Sequence, residues 1–357
     1  MRTYIKFLSI SIMKSFIFVS SITLCLVFIL NLLSELDFFK DINVSTFFPI
    51  YMSLLNSPTL LFEMFPFIML LSSQLFFINL FENNQIEIFK YSGLKNSKLL
   101  LILSTIIFLI SLIIIIFFYN FSTSLKNLYL ETKSSYTNDN KYLAVITKNG
   151  LWIKDKIQDK NYIINASSME ENFLLNGFIT EFDESYNVIR NIQSKKINVK
   201  TNEWILYDVK IFLNNSISDK DQINLFSNFN YDRIISLFSN LSSLSVFELF
   251  ELKRNYEMLN YSTTEISMQI NKVIFFPVYL VLMSLISGLI MLNVKRLGNA
   301  TFKILIGLFL SVLIYYLNNF FMVLGNTEKV SHIIAILAPQ LMLASLIIVL
   351  FLKINDK

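Results

Sequence analysis

Apolar residues in this chain fall in long uncharged blocks, three ahead of a mainly polar middle section and three after it. Crossing a hydrocarbon core takes about 20 apolar residues in a helix. Blocks of that order occupy residues 15–34, about 47–81, 99–125, 273–294, 304–326 and 333–352. The second is interrupted by Pro49, Pro58, Glu63 and Pro66, so its embedded part is expected to start near Pro58. Six spanning helices in two groups of three are therefore predicted. Arg2, Lys6 and Lys14 ahead of the first block would also suit a signal peptide, but the block is long and "LNLLSELDFF" offers no small-x-small cleavage site. It is read as a retained helix.

Between 126 and 272 the period changes from helical to two. "AVITKNGLWIKD" and "INVKTNEWILYDVKIF" alternate in character; in the second, Ile197 and Val199 precede a polar turn at Asn202 and Glu203. Trp204 and Leu206 then share one face, with Ile205, Tyr207 and Val209 on the other. "FITEFDESYNVIRNI" repeats the form with a turn at 184–187. Short strands at this spacing predict a small antiparallel sandwich or partial barrel. "LSSLSVFELFELKRNYEML" returns to helical period and leads into the fourth span. The fold class is thus a membrane α-helical protein with a β insertion: helices over 1–125, including a short polar helix at 82–93, a β-domain over 126–265, and helices over 266–357.

Lysine and arginine near the span ends set the orientation. Arg2, Lys6 and Lys14, then Lys90, Lys95 and Lys98, then Lys295, Arg296 and Lys303, and finally Lys353 and Lys357 all fall on one side, which is read as the cytoplasm. The alternate short loops offer only Lys40 and Lys329. Both termini are then cytoplasmic and the β-domain external.

Composition agrees, with 54% hydrophobic and 16% charged residues over 357 positions, too apolar for a soluble chain of this size. A net charge of +4 gives no ground for a nucleic-acid partner, and a single cysteine, Cys25, excludes an intrachain disulfide framework. There is no G-x-x-x-x-G-K-[ST] phosphate loop and no G-x-S-x-G nucleophile turn. His332 stands alone and is read as structural or solvated, so neither a metal site nor a cofactor nor catalysis is expected.

Two polar features inside or beside the spans invite functional readings. Glu63, in "SPTLLFEMFPF", would be costly at mid-bilayer, by about 2.5–3.5 kcal/mol on insertion scales; alternatively it lies early in its helix and reaches the outer interface. The stretch "FENNQIEIFKYSGLKNSKLL" reads as a short helix in which Ile86 and Phe89 form an apolar patch, Gln85, Glu87 and Lys90 stay polar, and Gly93 supplies a C-cap. An ordinary interfacial helix with Lys95 and Lys98 at the headgroups fits the same pattern.

Taken in order, "SPTLLFEMFPFIMLLSSQLFFINLFENNQIEIFKYSGLKNSKLL", "NGLWIKD", "TNEWILYDVKIF", "INKVIFFPVYLVLMSLI", "VKRLGNATFKILIGLFLSVLIYYLNN" and "AILAPQLML" resemble the lipopolysaccharide-export permeases LptF and LptG over nearly the whole chain. "SELDFF" and "GLWIKD" lean toward the G-type subunit. The resemblance implies a half-transporter with an external β-jellyroll between the third and fourth helices, working with an LptF-like paralogous permease, a cytoplasmic LptB-like ATPase dimer, an LptC-like membrane-anchored jellyroll protein and an LptA-like periplasmic bridge to move lipopolysaccharide out of the inner membrane. Gln85, Ile86, Glu87, Phe89, Lys90 and Gly93 would form the ATPase-coupling helix, with Gln85 where the family usually has glutamate. The cargo path would run by Asn31, Glu35 and Lys40 near the outer end of the first helix, where family members often carry basic residues and this chain has only Lys40. Tyr315 and Tyr316 would line a lateral gate between the first and fifth helices. Rival readings are an exporter of another envelope lipid or lipoprotein and a non-transporting assembly protein.

Overall fold

The computed structural model describes residues 3–136, 151–157, 160–170, 172–183, 187–213, 216–231, 234, 240–258, 262–293 and 300–355. Lys295 and Arg296, the residues expected in a strand at 144–150 and those expected in a turn at 184–186 lie outside them. Helices α1 (Thr3–Phe38), α2 (Phe48–Glu82), α3 (Gln85–Tyr91) and α4 (Asn96–Ile113) come first, followed by a π-helical turn at Ile114–Tyr119 and α5 (Asn120–Ser134). Seven strands then lead to α6 (Val246–Met258), α7 (Thr264–Asn293), α8 (Ala300–Asn326) and α9 (His332–Asn355). Among the described residues six helical stretches are long and apolar enough to cross a membrane, three before the strands and three after. The chain has a membrane α-helical fold with a β insertion.

Two compact units result: Met1–Tyr129, Ser242–Leu249 and Thr264–Lys357 make the helical one, Leu130–Leu241 and Phe250–Thr263 the other. In the helical unit α2 is the central rod, packed on α1, α7 and α8, while α4 and α9 pack on α7. Phe62, Phe65, Ile68, Met69, Phe76 and Phe77 of α2 sit in the core with Leu103 and Ile107 of α4 and Leu280 of α7. It begins at Phe48, at the start of the apolar block read from about residue 47. Pro49 occupies the first turn, where no N–H is needed, and Pro58 and Pro66 are carried inside the helix. Interior prolines are tolerated in membrane bundles because neighbouring groups satisfy the backbone carbonyls they free.

The π turn has an identifiable support. Thr59 on α2 donates to the Ser122 carbonyl just beyond it at 2.9 Å, and Tyr119 at its end donates to the Leu244 carbonyl at 3.0 Å. Ser245 and Glu248 then form a reciprocal capping box at the start of α6, with Ser245 N–H 2.7 Å from the Glu248 carboxylate.

In the other unit β1 (Leu151–Ile157), β2 (Lys160–Ala166), β3 (Ser168–Glu170), β4 (Phe173–Phe182), β5 (Val188–Asn198), β6 (Glu203–Leu213) and β7 (Ser216–Phe226) form one antiparallel sheet in the order β1-β2-β4-β5-β6-β7, β3 pairing with β4. Its two outer strands are linked. The buried Asp155 carboxylate on β1 accepts from Ser227 Oγ, Asn228 N–H and Asn228 Nδ2 at 2.8, 3.0 and 2.8 Å, just past the end of β7. Of the two forms the sequence left open, a sandwich and a partial barrel, this linkage of first to last strand fits the second. Trp204 is fully buried beside it, donating to the Phe229 carbonyl at 2.6 Å.

Strict alternation fails along one line. Asn176 and Asp208 have φ of 49° and 52°, and with Lys195 they stand abreast on β4, β5 and β6 while the pairs on either side keep their register. The buried set changes parity there. Val209, expected opposite Trp204 and Leu206, is buried like them.

Candidate coupling helix and membrane cavity

A sharp corner separates α2 from α3. Asn84 takes the left-handed conformation (φ 55°), which asparagine tolerates better than most residues. The far end closes at Gly93 (φ 79°), where Gly93 and Leu94 N–H donate to the Lys90 and Phe89 carbonyls, each at 2.9 Å. Glycine suits this position because a Cβ is disfavoured at such a φ.

The expected apolar patch points inward. Ile86 is 4% exposed in the bundle core, and half-buried Phe89 lies with its ring 6.2 Å from Phe7 of α1. Spacing puts both on one face of α3 without saying which way the face turns. Gln85 is half-buried at the first turn; Glu87, Lys90 and Gly93 are exposed or nearly so. The outward apolar residues are Ile88 and Tyr91, 58% and 89% exposed. Sequence reasoning passed them over, although they carry the same spacing of three.

Asn31 and Glu35, at the outer end of α1, are packed against neighbouring helices. Both are buried and tie α1 to its neighbours: Asn31 donates to the Ser53 carbonyl (3.2 Å) and accepts from Asn56 (2.9 Å), and Lys126 of α5 donates to the same Asn56 amide (2.6 Å). Tyr129 of α5 donates to Glu35 Oε1 at 2.7 Å. Polar side chains inside a bundle find partners on adjacent helices, because the alternative is an unpaired group in an apolar medium. Lys40, in the turn after α1, is exposed. Lys126 adds a cation that the linear sequence assigned only to the polar interval.

Tyr315 and Tyr316 on α8 do face open space. They line a cavity of ≈ 610 Å³ between α2, α7, α8 and α9, their rings T-shaped at 5.8 Å. Its wall is largely apolar, with Phe62 and Phe276 stacked at 4.6 Å and Tyr279 and Asn318 beside them. Glu63, Lys272 and Gln340 supply polar atoms. Glu63 stands mid-way along α2, because that helix starts at Phe48, and so lines this cavity instead of marking an early turn. Among the described residues no group of three or more His, Cys, Asp or Glu could hold a metal ion.

A bundle of six apolar helices split by a β insertion, with a short exposed helix between the second and third spans, defines a polytopic permease-like membrane subunit. The chain belongs to the lipopolysaccharide export system permease LptF/LptG family, whose model matches residues 7–353. It is a multi-pass inner-membrane protein of a non-catalytic permease class. A search of curated proteins returned no match.

Proposed function

We propose that this chain is one half of an ABC-type transporter that, with a paralogous permease and a cytoplasmic ATPase dimer, lifts lipopolysaccharide from the outer leaflet of the inner membrane and hands it to a periplasmic jellyroll bridge. The G-type role is the one adopted, with both termini cytoplasmic and the sheet periplasmic, as the distribution of lysine and arginine supports. The observation that carries the reading is the build of α3. A seven-residue helix fixed to the bundle by Ile86 and Phe89, and offering Glu87, Ile88, Lys90 and Tyr91 outward, is suited to seat in a cleft of a motor protein. Rigid attachment matters because a joint transmits displacement only if its own side does not yield.

Ile86 and Phe89 then act as anchors, and the contact proper falls to Ile88 and Tyr91, with Glu87 taking the charged interaction that Gln85 cannot make. Exposed aromatic side chains at a contact commonly dominate its energy, at about 2 kcal/mol or more on truncation. The test is co-purification from native membranes. Tyr91→Ala should reduce the recovered ATPase by tenfold or more while the variant inserts at wild-type level. Recovery of the wild-type chain without any ATPase or sister permease would refute the transporter reading.

A further inference from the structure

Glu63 on α2 and Lys272 on α7 both face the 610 Å³ cavity, and among the described residues neither has a hydrogen bond or ion pair. On a third wall Gln340 of α9 is 8% exposed and its amide oxygen has no donor. Buried acceptors of this kind normally have a partner. Two opposite charges on separate walls, together with an oxygen lacking a donor, complement a molecule that carries a multi-donor cation and an anion side by side. The remaining lining is aromatic and methionine-rich, which suits acyl chain.

At about 1.5 Å per residue α7 is about 45 Å long against a hydrocarbon core of about 30 Å, so about 7 Å projects at each end. Lys272, eight residues after Thr264, then lies about 5 Å inside the boundary, and the same reckoning puts Gln340 about 9 Å and Glu63 about 11 Å inside it. All three lie in the half of the bilayer nearer the starts of α2, α7 and α9, so a headgroup held by them is drawn inward from the interface. The volume falls in the range of about 300–1,000 Å³ typical of single-ligand sites. It is small beside a glycolipid with several acyl chains.

We propose that this cavity holds a resident zwitterionic phospholipid whose headgroup bears a primary ammonium next to its phosphate. Glu63 and Gln340 Oε1 accept from the ammonium, whose three N–H donors can serve both, while Lys272 faces the phosphate and the aromatic wall takes the upper acyl chain. The site lies within one subunit and does not depend on the ATPase or on the cargo proposed above.

Native mass spectrometry of the full-length chain in mild detergent, titrated with phosphatidylethanolamine or phosphatidylglycerol, tests this. One phosphatidylethanolamine should be retained per chain with about tenfold preference over phosphatidylglycerol. Glu63→Gln should abolish the preference, Gln340→Leu should reduce it, and Lys272→Met should weaken both lipids; circular dichroism and gel filtration verify that each variant is folded, and either of the first two suffices. Equal binding of the two lipids by the wild type, or a preference untouched in a folded Glu63→Gln or Gln340→Leu variant, overturns the proposal. So does one-for-one displacement of phosphatidylethanolamine by purified lipopolysaccharide, which would assign the cavity to the cargo.

Discussion

Gly307→Ala in α8 should destabilise the helical bundle, and Gln74→Ala in α2 should partly rescue it. The fully buried Gln74 side chain crosses from α2 to donate to the Lys303 carbonyl at 2.8 Å, and the absence of a side chain at Gly307 is what admits it. A Cβ there would fall 2.6 Å from both Cδ and Oε1 of Gln74 and nearer still to Nε2, so the whole amide would have to move. Overpacking of this kind costs about 1–3 kcal/mol. An interhelical hydrogen bond within a membrane bundle contributes about 0.6 kcal/mol on average and up to about 1.7. Gln74→Ala alone forfeits that bond and leaves a void, at about 2 kcal/mol or more by analogy with buried truncations. In the double variant the methyl group introduced on α8 occupies the room vacated by the amide, so the combined loss should fall short of the sum by about 1–2 kcal/mol, within the usual range for residues in contact. Unfolding of the full-length chain in mixed micelles, followed by circular dichroism for the wild type, both singles and the double, measures this. Additivity to within about 0.5 kcal/mol would refute the steric link between the two positions.

Three other outcomes follow from features of the sheet and the bundle. Asp155→Ala removes the acceptor shared by Ser227 and Asn228, and hydrogen exchange should accelerate in β1 and at 225–229 by tenfold or more, given about 1–3 kcal/mol for orphaned buried donors; unchanged exchange would show that the strand linkage holds without it. Burial alone would raise the Glu181 carboxyl, but hydrogen bonds from Lys160 and Arg190 outweigh it and hold the group below the usual carboxylate range. Its folded value being lowered, the stability it contributes is present above the unfolded value and lost as pH falls through the folded one, so the unfolding midpoint reported by buried Trp204 should drop below about pH 4, and Glu181→Gln should flatten that dependence. Asn56→Leu leaves Asn31 without its donor and Lys126 without one acceptor, and should lower bundle stability by about 1–3 kcal/mol, read from the same micelle unfolding.

The spans were legible because lipid demands continuous apolar length, and that demand is written residue by residue. Helix ends were not. Nothing obliges a helix to stop where the hydrocarbon does, and α2 continues outward to Phe48 through two prolines. Alternation located the strands around Trp204 and the turn before it, but a two-residue period assumes every peptide keeps its sense, and the left-handed Asp208 breaks that assumption. At α3 the pattern identified which residues share a face. The direction of that face depends on Phe7, far away in sequence. The burial of Asn31 and Glu35 was not legible either: Asn31 is held by Ser53 and Asn56 of α2, and Glu35 by Tyr129, which lies some ninety positions further on in a segment whose polarity had suggested solvent.

The wide turn at Ile114–Tyr119 carries one residue of slack in an otherwise regular rod. Each residue advances a helix by about 100°, so that slack sets the azimuth of everything downstream. Deleting one isoleucine from 114–116 would restore an unbroken α-helix at almost no cost in hydrophobicity, yet swing Lys126 and Tyr129 away from Asn56 and Glu35. A hydropathy profile would hardly register the change; the bundle would have lost the keyway that aligns its third rod with the first two.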